Sequence, residues 1–134
     1  MKLHHIGIGV ADIERQAPRC AAQFGWRPAS AVVHDPIQRA DVQFWTDGGP
    51  VSFEFIQPAA EDSPVRNVMK NGGGVAHLCF EVRDIQAAVR DAVSRGAIVV
   101  CPPVPAVAFD QRPIAFLFFR NLGLIEFVEE PRHE

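Results

Sequence analysis

Hydrophobic and polar positions alternate along residues 3–10, where Ile6, Ile8 and Val10 interleave with His5, Gly7 and Gly9. Period two predicts a strand with one apolar face for a helix, while the other face carries an imidazole beside two positions without bulk. Asp12 then caps a helix that runs toward Gly25, a suitable stop. Pro18 sits too deep for a first helical turn, so the pattern predicts a kink or a late start. A short strand is predicted over 29–33 and a loop over 34–39. Alternation returns at Asp41–Trp45, with Val42 and Phe44 on one side and Gln43 and Trp45 on the other. Asp47-Gly48-Gly49-Pro50 is a turn. In the strand Val51–Gln57, Ser52, Glu54 and Ile56 share one face, and Val51, Phe53 and Phe55 share the other. Ser63-Pro64 predicts a short helix over 64–71, closed by three glycines.

The pattern then repeats. Val75–Val82 is a strand with His77, Cys79 and Glu81 on one face and Leu78, Phe80 and Val82 on the other. Asp84 caps a helix to Arg95, with an apolar stripe of Ile85, Ala88, Val89 and Ala92 and a stop at Gly96. Strands are predicted at 97–101, 113–119 and 124–129, with a loop over 104–112 lying across the site. His5 and His77 stand 72 residues apart, as do Asp12 and Asp84, Ile13 and Ile85, and Glu54 and Glu126. One offset shared by separate blocks marks two copies of one unit, each β-α-β-β-β. The expected architecture is α+β: two βαβββ modules in one chain, forming a curved mixed sheet around a metal cavity. A single domain over 1–134 is expected, with module 1 over about 1–60, a linker helix within about 61–74 and module 2 over about 75–134.

With 134 residues the chain can bury one sizeable core. A net charge of −3 without any basic stripe argues against nucleic acid. The N-terminus has no secretory pattern and no apolar run approaches membrane-spanning length. Cys20, Cys79 and Cys101 are odd in number and lack metal-type spacing. They predict reduced thiols and a cytoplasmic protein.

The repeated positions carry the candidate chemistry. An acid in the middle of an apolar strand is costly to bury unless it is paired or bound to a metal. Two His and two Glu at one offset favour a shared site: His5, Glu54, His77 and Glu126 as ligands of a divalent ion such as Ni, Co, Mn, Zn or Fe. Four protein ligands leave positions for the oxygens of a carbonyl substrate. The ion would stabilise charge when the adjacent carbon loses a proton, with Glu126 and Glu54 exchanging that proton. Gln43, Trp45, Cys79 and Phe119 are candidate substrate contacts, each as well explained by core packing. His4 has Ala76 at its offset and is read as structural.

LHHIGIGVADIE, EFIQPAAEDSPV, NGGGVAHLCFEVRDI and GLIEFVE together resemble the vicinal-oxygen-chelate superfamily, and within it the methylmalonyl-CoA epimerases. The resemblance implies paired βαβββ modules, a divalent metal, a small-molecule substrate such as an acyl-CoA thioester, and a homodimer. It places metal ligands on His5 and His77, the combined ligand and base on Glu126, and the fourth ligand on Glu54. The second catalytic glutamate of those epimerases falls on Gln43. Glu54 is also similar to the glyoxalase-type lyases, whose Arg and Asn are replaced by Gly9 and Pro58. The expectation is a metal-dependent epimerase or isomerase. The alternatives are a glyoxalase-type lyase and a non-enzymatic binding protein of the same fold, with a ring-cleaving dioxygenase ranked below them.

Overall fold

The structure, a computed structural model, describes residues 1–132, so the last two residues of the expected second module lie outside it. The chain forms two compact units, one from residues 5–76 and the other from residues 1–4 together with the chain from His77 onward.

In the first of these, β1 (Lys2–Gly9) enters with His5 and leads to α1 (Ile13–Phe24). Two short strands, β2 (Arg27–Pro28) and β3 (Val33–Asp35), both pair antiparallel with β4 (Ala40–Thr46). β4 pairs antiparallel with β5 (Ser52–Pro58), and β5 returns to lie parallel to β1. The helix starts at Ile13 and runs through Pro18 without a break, so neither a late start nor an interruption occurs. The missing Pro18 N–H bond costs about 3 kcal/mol at an interior helix position. Burial offsets it: Ile13, Ala17 and Ala21, four residues apart, pack on Trp45 and Phe55, and each large apolar side chain so buried contributes about 1.5–3 kcal/mol. Pro18 itself lies on the exposed side.

The second unit repeats the plan. β6 (Gly74–Val82) leads to α3 (Ile85–Ser94), then β7 (Ile98–Ala106), β8 (Arg112–Phe119) and β9 (Gly123–Glu129). β7, β8 and β9 are antiparallel neighbours, and β9 lies parallel to β6. Val82, Ile85, Ala92, Leu117, Ile125 and Phe127 form the core between sheet and helix. β7 is longer than expected, since Val104–Ala106 pairs with Arg112–Ile114. Its register slips around Pro102 and Pro103, which have no N–H to give the ladder. Only Val107–Phe109 remains of the predicted loop, as a 3-10 turn, followed by Asp110 and Gln111 in left-handed backbone.

Helix capping follows a rule the sequence did not display. Asp12 makes no side-chain cap, whereas Asp84 accepts from Ala87 N. The first helical N–H is instead taken by a side chain 44 residues onward: Ile13 N donates to Gln57 Oε1 at 2.9 Å and Ile85 N to Glu129 Oε2 at 3.0 Å. Gln57 and Glu129 are also 72 apart. Each long-range cap ties a helix start to the last strand of its own unit.

The linker helix is shorter than the sequence suggested. α2 spans Arg66–Met69, with Val65 rather than Ser63 at its N-cap. Ser63 is turned inward instead, its Oγ donating to Gln38 O at 2.7 Å. Arg39 holds the same segment by donating to Asp62 O. The segment therefore straps across the β3–β4 turn and packs Val68 over Gly9. A Cβ built on Gly9 would stand 2.6 Å from Val68 Cγ1, so only glycine fits there.

Candidate functional site

Strand register decides which side chains share the sheet face turned away from each helix. In the first unit β1 and β5 set Gly7 opposite Glu54, and β4 and β5 set Phe44 opposite Glu54. His5, Glu54 and Phe44 thus share a face. His5 Nε2 lies 3.4 Å from Glu54 Oε1, and both residues are fully buried. The Phe44 ring meets the His5 ring edge-on at 5.4 Å.

The second unit repeats this triplet. His77 Nε2 lies 3.1 Å from Glu126 Oε1, and both residues are 2% exposed. Phe116 opposes Glu126 across β8 and β9, and its ring meets His77 edge-on at 5.3 Å. Phe44 and Phe116 are 72 residues apart, and the sequence reading did not single them out. Extending the repeat offset to the aromatic positions would have found both.

A carboxylate buried beside an imidazole needs its charge answered. Two atoms about 2.0–2.2 Å from one ion and at right angles to each other lie about 3 Å apart. Both His–Glu separations match that spacing, and the nitrogen and oxygen donors suit a borderline divalent ion. The donor chemistry thus fits the metal that the sequence resemblance implies.

The other expected contacts divide. Cys79 is fully buried and opposes Glu126 in the β6–β9 register, on the His77 face. Gln43 and Trp45 do not share the Glu54 face. They alternate with Val42 and Phe44 and so point toward α1, where Trp45 joins the helix-packing core. The Gln43 amide is occupied on both sides, donating to Ser30 O and accepting from Trp45 Nε1. Phe119 likewise faces α3, packing on Phe127 at 6.4 Å. Pleat alternation thus sets these three on the helix side of the sheet, away from the His–Glu face. The β4 residues that do share the Glu54 face are Ala40, Val42, Phe44 and Thr46, none of which is an acid.

One buried acid on that face escaped the sequence reading. Asp35 ends β3 directly opposite Ala40. Its Oδ1 accepts from Ile37 N at 2.9 Å and its Oδ2 from Gln38 Nε2 at 2.8 Å. Burial pushes its carboxyl above the ordinary aspartate range, hydrogen bonds pull it back in part, and the charge of Glu54 adds to the rise. Its short, polar surroundings, His34-Asp35-Pro36, read as a loop, which hid it. The second unit carries an ion pair at the corresponding edge: Arg112 donates to Glu81 Oε2 at 2.9 Å and to Glu129 O.

The model of the glyoxalase/bleomycin resistance protein/dioxygenase superfamily matches residues 4–116. The chain belongs to that superfamily. It is 30% identical over 118 residues to the ethylmalonyl-CoA/methylmalonyl-CoA epimerase of Cereibacter sphaeroides, covering 87% of each. It is 24% identical to the mitochondrial methylmalonyl-CoA epimerase of Dictyostelium discoideum, over 96% of this chain and 78% of that one. Among solved structures, a variant methylmalonyl-CoA epimerase of Streptomyces coelicolor in complex with 2-nitronate-propionyl-CoA superposes with a TM-score of 0.82 at 25% identity, covering 98% of this chain and 99% of the other. The fold is the vicinal-oxygen-chelate fold, and the protein is an enzyme of the glyoxalase superfamily, similar to methylmalonyl-CoA epimerases. Among the described residues no helix is long and apolar enough to cross a membrane, and no cysteine is in a disulfide.

Proposed function

We propose that this enzyme is a divalent-metal-dependent epimerase of acyl-CoA thioesters, and that His5, Glu54, His77 and Glu126 hold one ion between them. The repeated buried His–Glu pair, with its partner phenylalanine, is the observation that carries the reading. Two neutral imidazoles and two carboxylates sum to two negative charges, which a divalent cation cancels. When bound, the ion supplies positive charge to the substrate carbonyl oxygen as negative charge develops there. Glu126 is the group assigned to the α-proton, and Glu54 completes the ligand set and is the second candidate for proton transfer. Phe44 and Phe116 hold the two imidazoles edge-on and keep water from the carboxylates. Names of relatives support the substrate class, since those enzymes are epimerases of methylmalonyl-CoA or ethylmalonyl-CoA. A cytoplasmic homodimer, working as a single two-module domain, completes the proposal.

The test is α-proton exchange in deuterated water over a panel of acyl-CoA thioesters and 2-oxo compounds, with added Ni, Co or Mn, alongside elemental analysis of the purified protein. Metal near one equivalent and exchange on an acyl-CoA are the expected results. Exchange only on 2-oxo hemithioacetals would favour the lyase reading, which Glu54 beside His5 also suits. Tight ligand binding with neither metal nor exchange would leave a binding protein.

A further inference from the structure

An epimerase that works with two groups needs one carboxylate to take a proton and one carboxylic acid to return another on the opposite face. A carboxylate that ligates a cation starts the cycle ionised. Glu54 and Glu126 both hold that position in the proposed ligand set, so neither is suited to begin as the acid. On β4 the Glu54 face offers Ala40, Val42, Phe44 and Thr46, and no carboxylic acid.

We propose that Asp35 is the second catalytic group, the acid that delivers a proton to the face of the α-carbon opposite Glu126. The inference rests on the proposed metal-dependent epimerase. Asp35 opposes Ala40 in the β3–β4 register, so its side chain leaves the sheet on the same side as Phe44 and Glu54. Four residues of β4 separate Ala40 from Phe44, about 13 Å of strand. The two carboxyls are near enough that the charge of Glu54 acts on Asp35. Asp35 is 6% exposed, sealed by the strap that Ser63 fastens to Gln38 O. Gln38 is itself buried and fixes the carboxyl through its amide and through its backbone N–H. A turn-forming aspartate needs only the bond from Ile37 N. The second oxygen, the burial and the shared face are unexplained by that role. Burial also favours the protonated carboxyl, the form the step requires. In the other unit the position 72 residues on is Val107, half exposed.

The step balances. Glu126 takes the α-proton, and the C–H electron pair moves into the bond to the carbonyl carbon, giving an enolate. The pair then returns to the α-carbon and takes the Asp35 proton from the other face. Glu126 ends as the acid and Asp35 as the carboxylate, and exchange with water resets both.

The experiment uses full-length protein with added Co or Mn and each enantiomer of methylmalonyl-CoA in deuterated water, following deuterium at the α-carbon and configuration separately. Wild type should both exchange and invert. Asp35→Asn should still exchange the enantiomer whose proton faces Glu126, with retention, while exchange of the other enantiomer and inversion fall by about 10²-fold or more. Exchange on one enantiomer also proves that the variant is folded. Asp35→Glu should recover part of the inversion. Equal loss of exchange and inversion on both enantiomers, or loss of neither, overturns the assignment. Absence of exchange in wild type overturns the epimerase reading itself, and Asp35 with it.

Discussion

The two units apply one plan with different fittings. Both keep the histidine, the glutamate and the edge-on phenylalanine at one spacing, and both cap the helix start from the last strand. Around this shared frame they diverge. Gly7, Gly9 and Ala40 in the first unit stand where the second has Cys79, Glu81 and Arg112. The first thus exchanges an ion pair at the sheet edge for bare backbone, and the strap carrying α2 packs into the room so created. The first also adds Asp35 where the second has Val107. In the proposed reading the repeated residues are the ligands, which symmetry suits. Asp35, unrepeated, is there assigned to the substrate, since a chiral carbon presents two different faces.

The sharpest break in that symmetry should come from the two glutamates. Glu126→Gln should lower α-proton exchange by about 10²-fold or more, because an amide cannot accept the proton. Glu54→Gln, in the matching position, should act mainly through the metal. Its exchange should recover substantially as Co or Mn is raised, whereas that of Glu126→Gln should not. Equal losses that respond equally to metal would make the two units chemically equivalent and remove the distinction between ligand and base.

A second contrast concerns packing. Gly9→Ala places a methyl 2.6 Å from Val68 Cγ1 and 3.2 Å from Val65 Cγ1. β-branched neighbours have little rotamer freedom with which to yield, so about 1–3 kcal/mol of stability should be lost. Glu81→Ala, at the matching position, breaks a partly exposed ion pair while Arg112 keeps its bond to Glu129 O, and about 1 kcal/mol or less should follow. Urea unfolding midpoints at unchanged slope would measure both.

Much of this was legible because two periods and one offset carry it. The alternation at 3–10 and 75–82, the stripe after Ile85 and the 72-residue spacing located strands, helices and the His/Glu set. What stayed hidden depends on which residues face each other across strands. Gln43 and Trp45 were placed on the correct side of β4 relative to each other, but nothing in the sequence states that this side meets α1. Asp35 was hidden because a three-residue strand beside Pro36 has no period to detect. Gln57 and Glu129 cap helices across 44 residues, beyond the reach of any local capping rule.

Asp35 gives the next, smaller contrast, and its sign is fixed by burial. A carboxyl whose folded pKa is raised binds more protons when folded, so its stabilising contribution is complete below the unfolded value near 3.8 and is lost as pH rises through the folded value. In chelator-treated protein, Asp35→Asn removes this loss. The stability difference, variant minus wild type, should therefore become more positive from about pH 4 to neutrality. A flat difference would mean that Asp35 ionises as readily as an exposed aspartate. Val107→Asn, at the exposed counterpart, should show no such trend.

The smallest expected effect comes from His4, a histidine outside the repeat. His4 alternates with His5 on β1, and its ring meets Phe109 edge-on at 5.5 Å within the unit built around β6–β9. Its counterpart is Ala76, so His4→Ala makes the first copy more like the second. Losing one aromatic edge contact should cost about 0.5–1.5 kcal/mol, seen as a modest fall in the urea midpoint. Exchange measured at saturating metal should stay within about twofold of wild type, a change worth less than 0.5 kcal/mol. A large loss of exchange at unchanged stability would instead put His4 among the groups that handle substrate or metal, and the repeat would no longer be a sufficient guide to the site.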